Sequence, residues 1–256
     1  MIPIRVLRRR AAFFGKGKYM RDLQEGPDRE WDEKLGIVTA GAEGDSFNQV
    51  NFRYEPTPYA VLERLAESGL LDKSSVLIDY GCGRGRCTLF LHAKTGCRAI
   101  GIDYNPVLVR EAKANLARMN AAGPEASETP PWREGTGALQ EKGTGKADEA
   151  AGFGKEAVFF RRAKAQNYRV TDENAFYFFN PFSEVILQAV LREIIGSWYE
   201  DPRQMYLFFY YPKDEDLALL SMFDEIMFYD EIDCTDLYGG RDQREKILVY
   251  ELPSGE

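Results

Sequence analysis

The stretch "VLIDYGCGRGRCTLF", residues 76–90, constrains the fold more than any other part of the chain. An apolar run of strand length enters glycines at 81, 83 and 85, and a helix-forming run follows. Glycine permits positive φ and lets a ligand approach the main chain closely. At a strand-to-helix junction, backbone N–H groups are expected to be free, beside the positive end of the helix. Ligands of α/β sheets sit outside the carboxyl ends of the strands. The stretch therefore predicts one βα unit of a larger sheet, with a binding site at its upper edge.

The surrounding pattern repeats that unit. Residues 56–71 have helical spacing (Val61, Leu62, Leu65, Leu70), and 97–103 read as a second strand. A helix follows over 105–120, with Pro106 in its first turn, where a missing N–H costs nothing. Strands are predicted at 157–163, 175–180 and 204–212, and helices at 183–198 and 214–223. Residues 225–234 and 244–252 read as an antiparallel pair, with a turn marked by Gly239 and Gly240. Alternating strands and helices imply a mostly parallel sheet covered on both faces. The fold class expected is a Rossmann-like seven-stranded, mostly parallel sheet with an antiparallel C-terminal strand.

A chain of 256 residues with 44 % hydrophobic content can bury one large core. Residues 56–256 are expected to form that domain. Residues 1–55 read as a basic and polar N-terminal extension that caps the substrate side. Residues 121–156 are dense in Gly, Pro, Ala and charge and read as a flexible insertion, with Trp132 as its one anchor. The net charge of −8 argues against a general nucleic-acid binder but leaves room for a local basic patch. Cys82, Cys87, Cys97 and Cys234 form no CxxC pair and read as reduced, buried thiols of a cytoplasmic protein. His92, the single histidine, lacks a metal-ligand partner and reads as structural; no metal is expected. No window approaches the ~18 apolar residues that a membrane span requires. The basic N-terminus lacks the apolar core of a signal peptide.

The glycine spacing narrows the ligand. A dinucleotide turn reads G-x-G-x-x-G, yet counting from Gly81 places Arg86 at the third glycine, and counting from Gly83 places Thr88 there. The G-K-[ST] of a phosphate loop is missing. What remains is D-x-G-x-G-x-G, Asp79 to Gly85, with Asp103 ending the next strand. A carboxylate at that place can accept two hydrogen bonds from ribose hydroxyls. This pattern resembles the class I S-adenosylmethionine-dependent methyltransferases. The resemblance implies that Gly81, Gly83 and Gly85 line the methionine portion of S-adenosyl-L-methionine and that Asp79 helps hold its amino group. It further implies that Asp103 binds the ribose and that Tyr104 packs near the adenine. Many relatives carry Gly-Asp-Ala after the third strand; this chain has Ala163-Lys164-Ala165, and Gln166 is the candidate for the adenine contact. The segments "WDEKLGIVTAG" (31–41), "YEPTPY" (54–59) and "FFNPFSEVILQAVL" (178–191) resemble a bacterial subgroup with D-x-x-x-G-v-x-T, Y-x-P-T and F-N-P-F motifs. That resemblance adds Tyr54, Glu55 and Thr57 to the cofactor-side candidates.

On the acceptor side, Asn180-Pro181-Phe182 follows the fourth strand. It resembles the N-P-P-Y of amino-methylating enzymes, in which an Asn side chain and a proline carbonyl accept from the target nitrogen and an aromatic ring packs on its plane. The plainer alternative is a strand end with a helix start signal. Tyr54, Tyr210 and Tyr211 are candidates for cation–π contact. The expected function is methyl transfer from S-adenosylmethionine to a nitrogen or oxygen nucleophile of a protein or small molecule. The alternatives are a non-catalytic S-adenosylmethionine-binding regulatory module and an RNA methyltransferase.

Overall fold

The computed structural model describes residues 26–40, 55–121 and 157–254. The order is α1 (Pro27–Leu35), α2 (Tyr59–Glu67), β1 (Val76–Tyr80), α3 (Arg86–Thr95), β2 (Arg98–Asp103), α4 (Pro106–Ala121) and β3 (Val158–Arg162). There follow β4 (Ala175–Phe178), α5 (Glu184–Glu200), β5 (Met205–Tyr210), α6 (Asp214–Leu220), β6 (Met227–Asp233) and β7 (Lys246–Leu252). The seven strands form one sheet in the order β3-β2-β1-β4-β5-β7-β6. Strands β1 to β5 pair in parallel, and β7 lies antiparallel to both β5 and β6. The expected fold class is therefore borne out.

Strand geometry sends alternate side chains to opposite faces. On β1, Leu77 enters one core and Val76, Ile78 and Tyr80 the other; on β5, Phe208 and Tyr210 oppose Leu207 and Phe209. Both faces are covered, which explains why these strands are written as unbroken apolar runs. The first core packs against α1 to α4, the second against α5 and α6. Helix α3 ends at Gly96 (φ 75°), and Gly239 and Gly240 take φ values of 75° and 70° in the turn before β7.

Helix α1 is not among the elements the sequence predicts; residues 1–55 read there as a basic and polar extension. Its signals are local: Pro27 in the first turn, Asp28 and Glu30 beside the positive helix end, and Gly36 in the left-handed region as its cap. Leu35 and Ile37 are buried in the first core, and the Trp31 ring meets Phe90 edge-on at 5.1 Å. The basic tail, Tyr54, Trp132 and all but the first residue of the expected insertion lie outside the described residues.

Candidate functional site

The turn between β1 and α3 sits at the carboxyl edge of the sheet, between β2 and β4. Gly81, Gly83 and Gly85 all have positive φ (78°, 54° and 86°). Two of them also answer to close neighbours. A Cβ on Gly81 would lie 2.5 Å from Pro181 Cβ, and one on Gly85 would lie 2.5 Å from the Phe160 ring of β3. The expectation of free amides is corrected. Gly81 and Cys82 N–H both donate to the Ile102 carbonyl, at 2.8 and 3.0 Å, and Gly85 N–H donates to Cys82 O at 2.8 Å. Gly83 N–H donates to Asp103 Oδ2 at 3.1 Å. A phosphate cradle needs such donors turned outward; here three of them fasten the turn to β2 and the fourth closes the turn on itself.

Two buried carboxylates frame the turn. Asp79 is 3 % exposed, and its Oδ2 accepts from the Thr88 hydroxyl at 2.6 Å and from the Thr88 amide at 3.1 Å. Gly85, at the helix start, has no side chain with which to cap α3, so Asp79 supplies that cap from β1. Burial pushes the Asp79 carboxyl up to about 6, against the Thr88 hydrogen bonds and with the help of the nearby Asp103 charge. Asp103, 7 % exposed, accepts from Gly83 through Oδ2 and from Asn105 N–H through Oδ1 at 2.8 Å. The two amides thereby fix the orientation of the Asp103 carboxylate at the end of β2.

Past β4 the chain takes an unusual path. Asn180 and Tyr211, at the ends of adjacent strands, are the two non-glycine residues with positive φ among those described (44° and 53°). Asn180 Nδ2 donates to Tyr211 O at 2.9 Å. That bond fixes the amide's orientation and leaves Oδ1 as its accepting end. Pro181 rests on Gly81, which brings the acceptor-side motif into contact with the glycine turn. Phe182 departs from its expected place over a substrate. It is 7 % exposed and meets the Tyr80 and Phe178 rings edge-on at 6.3 and 6.4 Å, inside the second core.

The remaining candidates divide. Thr57 is buried, its hydroxyl 3.0 Å from the Tyr177 hydroxyl across the first core. Glu55 is half-buried, and its charge helps raise the Glu245 carboxyl, after the larger effect of burial. Tyr104 is half-buried at the end of β2, and Gln166 is exposed in a short 3-10 turn after β3. Tyr210 donates to Glu245 at 2.6 Å and Tyr211 to Asp242 at 2.6 Å, so both phenols point toward the loop before β7. All four cysteines are free and buried. His92 Nδ1 lies 2.6 Å from the Cys97 carbonyl and burial lowers its pKa, in keeping with a structural role. Among the described residues no cluster of His, Cys, Asp or Glu is arranged for a metal ion, and no helix is long and apolar enough to cross a membrane.

Sequence reasoning used Arg86 only to exclude a dinucleotide turn. Its side chain, 2 % exposed, is the hub of the N-terminal packing. Nε donates to Thr39 Oγ1 at 2.6 Å, and Nη1 donates to Asp28 Oδ2 at 2.7 Å and to Thr57 O at 3.3 Å. The guanidinium also lies 4.5 Å from the Tyr59 ring centre. A charged residue in an apolar setting, one position after the last glycine of the motif, was the available signal.

Sheet order, the antiparallel last strand and the D-x-G-x-G-x-G turn together define the Rossmann-like fold of the class I methyltransferases. No protein-family model matches the chain. Over 71 residues it is 31 % identical to a protein-lysine N-methyltransferase of Saccharolobus islandicus, covering 27 % of this chain and 44 % of that protein. Over 109 residues it is 33 % identical to an uncharacterized RNA methyltransferase of Oceanobacillus iheyensis, covering 40 % of this chain and 23 % of that protein. The chain thus spans less than half the length of either curated relative. Among solved structures, an RNA methyltransferase of Salinibacter ruber in complex with S-adenosyl-L-homocysteine is similar over 79 % of this chain and 96 % of that one, with 16 % identity and a TM-score of 0.47.

Proposed function

We propose that the chain is an S-adenosylmethionine-dependent methyltransferase acting on a nitrogen or oxygen nucleophile. The observation that carries this reading is the contact of Pro181 with Gly81, which joins the cofactor-side turn and the acceptor-side motif at one sheet edge. The residues there suit the cofactor. Asp103 is held rigidly by two amides and can take a ribose diol; Asp79, buried beside the turn, can balance an ammonium group. S-adenosylmethionine supplies an activated methyl on its sulfonium, so the protein's task is chiefly to hold and orient. Asn180, with Nδ2 tied to Tyr211, offers Oδ1 to an N–H or O–H of the acceptor. Phe182 supports this arrangement from the core below. Calorimetric titration with S-adenosylhomocysteine tests the reading, and absence of binding at millimolar ligand overturns it. Binding without methyl transfer to protein, RNA or small-molecule pools from labelled cofactor would leave the regulatory module as the better account.

A second reading, an RNA acceptor, is favoured by the division of charge. Residues 98–121 and 157–170 hold eight Lys and Arg against two acids, whereas residues 171–254 hold six against eighteen. Arg110 and Lys113 on α4 and Arg161, Arg162 and Lys164 at the β3 edge are exposed, on the side of the sheet that carries Asp103. Phosphate contacts make binding steeply salt-dependent. RNA affinity that falls with salt, with a slope reduced when Arg110, Lys113, Arg162 and Lys164 are all changed to Gln, supports this reading; affinity indifferent to those changes removes it.

A further inference from the structure

We propose that Arg86 is a positioning residue for the cofactor site, and that residues 28–39 belong to that site through it. The inference rests on reading the glycine turn as the cofactor site. Arg86 opens α3 directly after Gly85, so its backbone is part of the turn while its side chain reaches away from it. Its partners include Asp28 on α1, Thr39 beyond it, Asp32 with its Oδ1 3.9 Å from Nη2, Thr57 just before α2 and Tyr59 at the start of α2, all of them before β1 in the chain.

The partners are themselves bound to one another. Asp32 accepts from the Thr39 amide (2.7 Å), the Thr39 hydroxyl (2.7 Å) and the Tyr59 hydroxyl (2.6 Å), and Asp28 accepts from the Tyr59 amide (3.0 Å). Gly36, at φ 68°, reverses the chain after α1 so that Thr39 returns to Asp32. Asp32 and Thr39 of the D-x-x-x-G-v-x-T segment and Thr57 of the Y-x-P-T segment, distant in sequence from the glycine motif, thus converge on one guanidinium. A second set of bonds ties the same strip to the turn: Arg84 Nη1 to Ala40 O at 2.6 Å, and Asn115 Nδ2 to both Val38 O (3.1 Å) and Arg84 O (2.9 Å).

A buried ion cluster is a poor means of stabilising a fold, since apolar replacements often serve as well or better. It does impose one geometry, because each charge must meet its partners. In this chain the geometry imposed is that of the residues flanking the glycine turn. Loosening the cluster should release the turn before it unfolds the domain.

Two measurements on the full chain test this. Thr39→Val and Asp28→Asn weaken the cluster gently, and Arg86→Lys keeps the charge while losing the planar fork. Leu191→Ala, in the opposite core, serves as a control for lost stability. We expect the first two variants to bind S-adenosylhomocysteine at least tenfold more weakly at a temperature where all are folded, with Leu191→Ala within twofold of wild type at a comparable fall in melting temperature. Arg86→Lys should bind more tightly than Arg86→Met. Hydrogen exchange at the Gly83 and Gly85 amides supplies a readout that needs no ligand, and it should accelerate in the first two variants alone. Wild-type exchange and affinity in folded Thr39→Val and Asp28→Asn would overturn the proposal, as would an equal loss in Leu191→Ala. A wild-type chain that fails to bind the ligand would sink the cofactor reading, and the exchange data would still decide whether Arg86 governs the turn.

Discussion

Pro181 rests on Gly81 so closely that a side chain at position 81 would place its first carbon 2.5 Å from Pro181 Cβ. The glycine is therefore required twice, by its φ of 78° and by the residue that closes over it. Gly81→Ala should destabilise the protein by about 2–5 kcal/mol, the left-handed backbone penalty of about 1–2 added to the about 1–3 of an overpacked site, and weaken cofactor binding at least tenfold. Gly69 provides the comparison, because it has the same backbone conformation (φ 77°) with nothing within 4 Å of its Cβ direction. Gly69→Ala should cost only the left-handed backbone penalty of about 1–2 kcal/mol and leave binding alone. Equal binding losses would show that the Pro181 contact is immaterial.

Asn180 combines a left-handed backbone with a side-chain bond to Tyr211. Asn180→Gly relieves the first and loses the second, so its stability should stay within about 1 kcal/mol of wild type. If the amide oxygen positions the acceptor, methyl transfer should nonetheless fall by two orders of magnitude or more, with cofactor affinity unchanged. Retained turnover would assign Asn180 to the loop alone.

Asp79 carries a pH signature. Its carboxyl is raised to about 6 by burial from an ordinary 3.8. The folded state thus binds this proton more tightly than the unfolded state, and stability is lost as pH rises from about 4 to about 6. Asp79→Asn keeps an oxygen for Thr88 and removes the buried charge. It should match wild type near pH 4 and exceed it by about 1–3 kcal/mol at pH 7.5. Ligand binding should run the other way: an ammonium partner favours the ionised form, so wild-type affinity for S-adenosylhomocysteine should weaken as pH falls through 6. Thermal melts and titrations across that range check both signs.

Asp103 holds two backbone amides as well as a place for the ligand. Asp103→Ala should weaken S-adenosylhomocysteine binding by about 1.5–3 kcal/mol, the scale of charge-assisted hydrogen bonds. Asp103→Asn retains acceptor capacity on one oxygen only and should fall between. An unchanged dissociation constant for the alanine variant would remove Asp103 from the site.

The sheet was readable because its strands are buried on both faces and its helices begin and end at Pro106, Gly85 and Gly96. Helix α1 was not, since its few apolar residues give little period; what holds it is the ion cluster around Arg86, formed by residues far apart in sequence. The motif positions were also visible, but several of their partners were not. Sequence placed Asp79 and Phe182 toward ligands; it did not record that Asp79 also caps α3 through Thr88, where Gly85 has no side chain to do so, or that the rings of Tyr80 and Phe178 draw Phe182 into the core. Likewise, Gly85 answers to Phe160, some seventy-five residues later in the chain, a constraint that no local pattern records.

The place of β7 bears on how the molecule is made. Of the seven strands described it is the latest in the chain, yet it lies between β5 and β6 and supplies the ladder that joins them. Until residues 246–252 emerge, β5 presents an open edge and β6, with Met227, Phe228 and Tyr229 outward, has no strand to pair with. Translation must therefore run to the seventh strand before the sheet can close, and a nascent chain paused before it carries two adhesive edges that the finished protein never shows together.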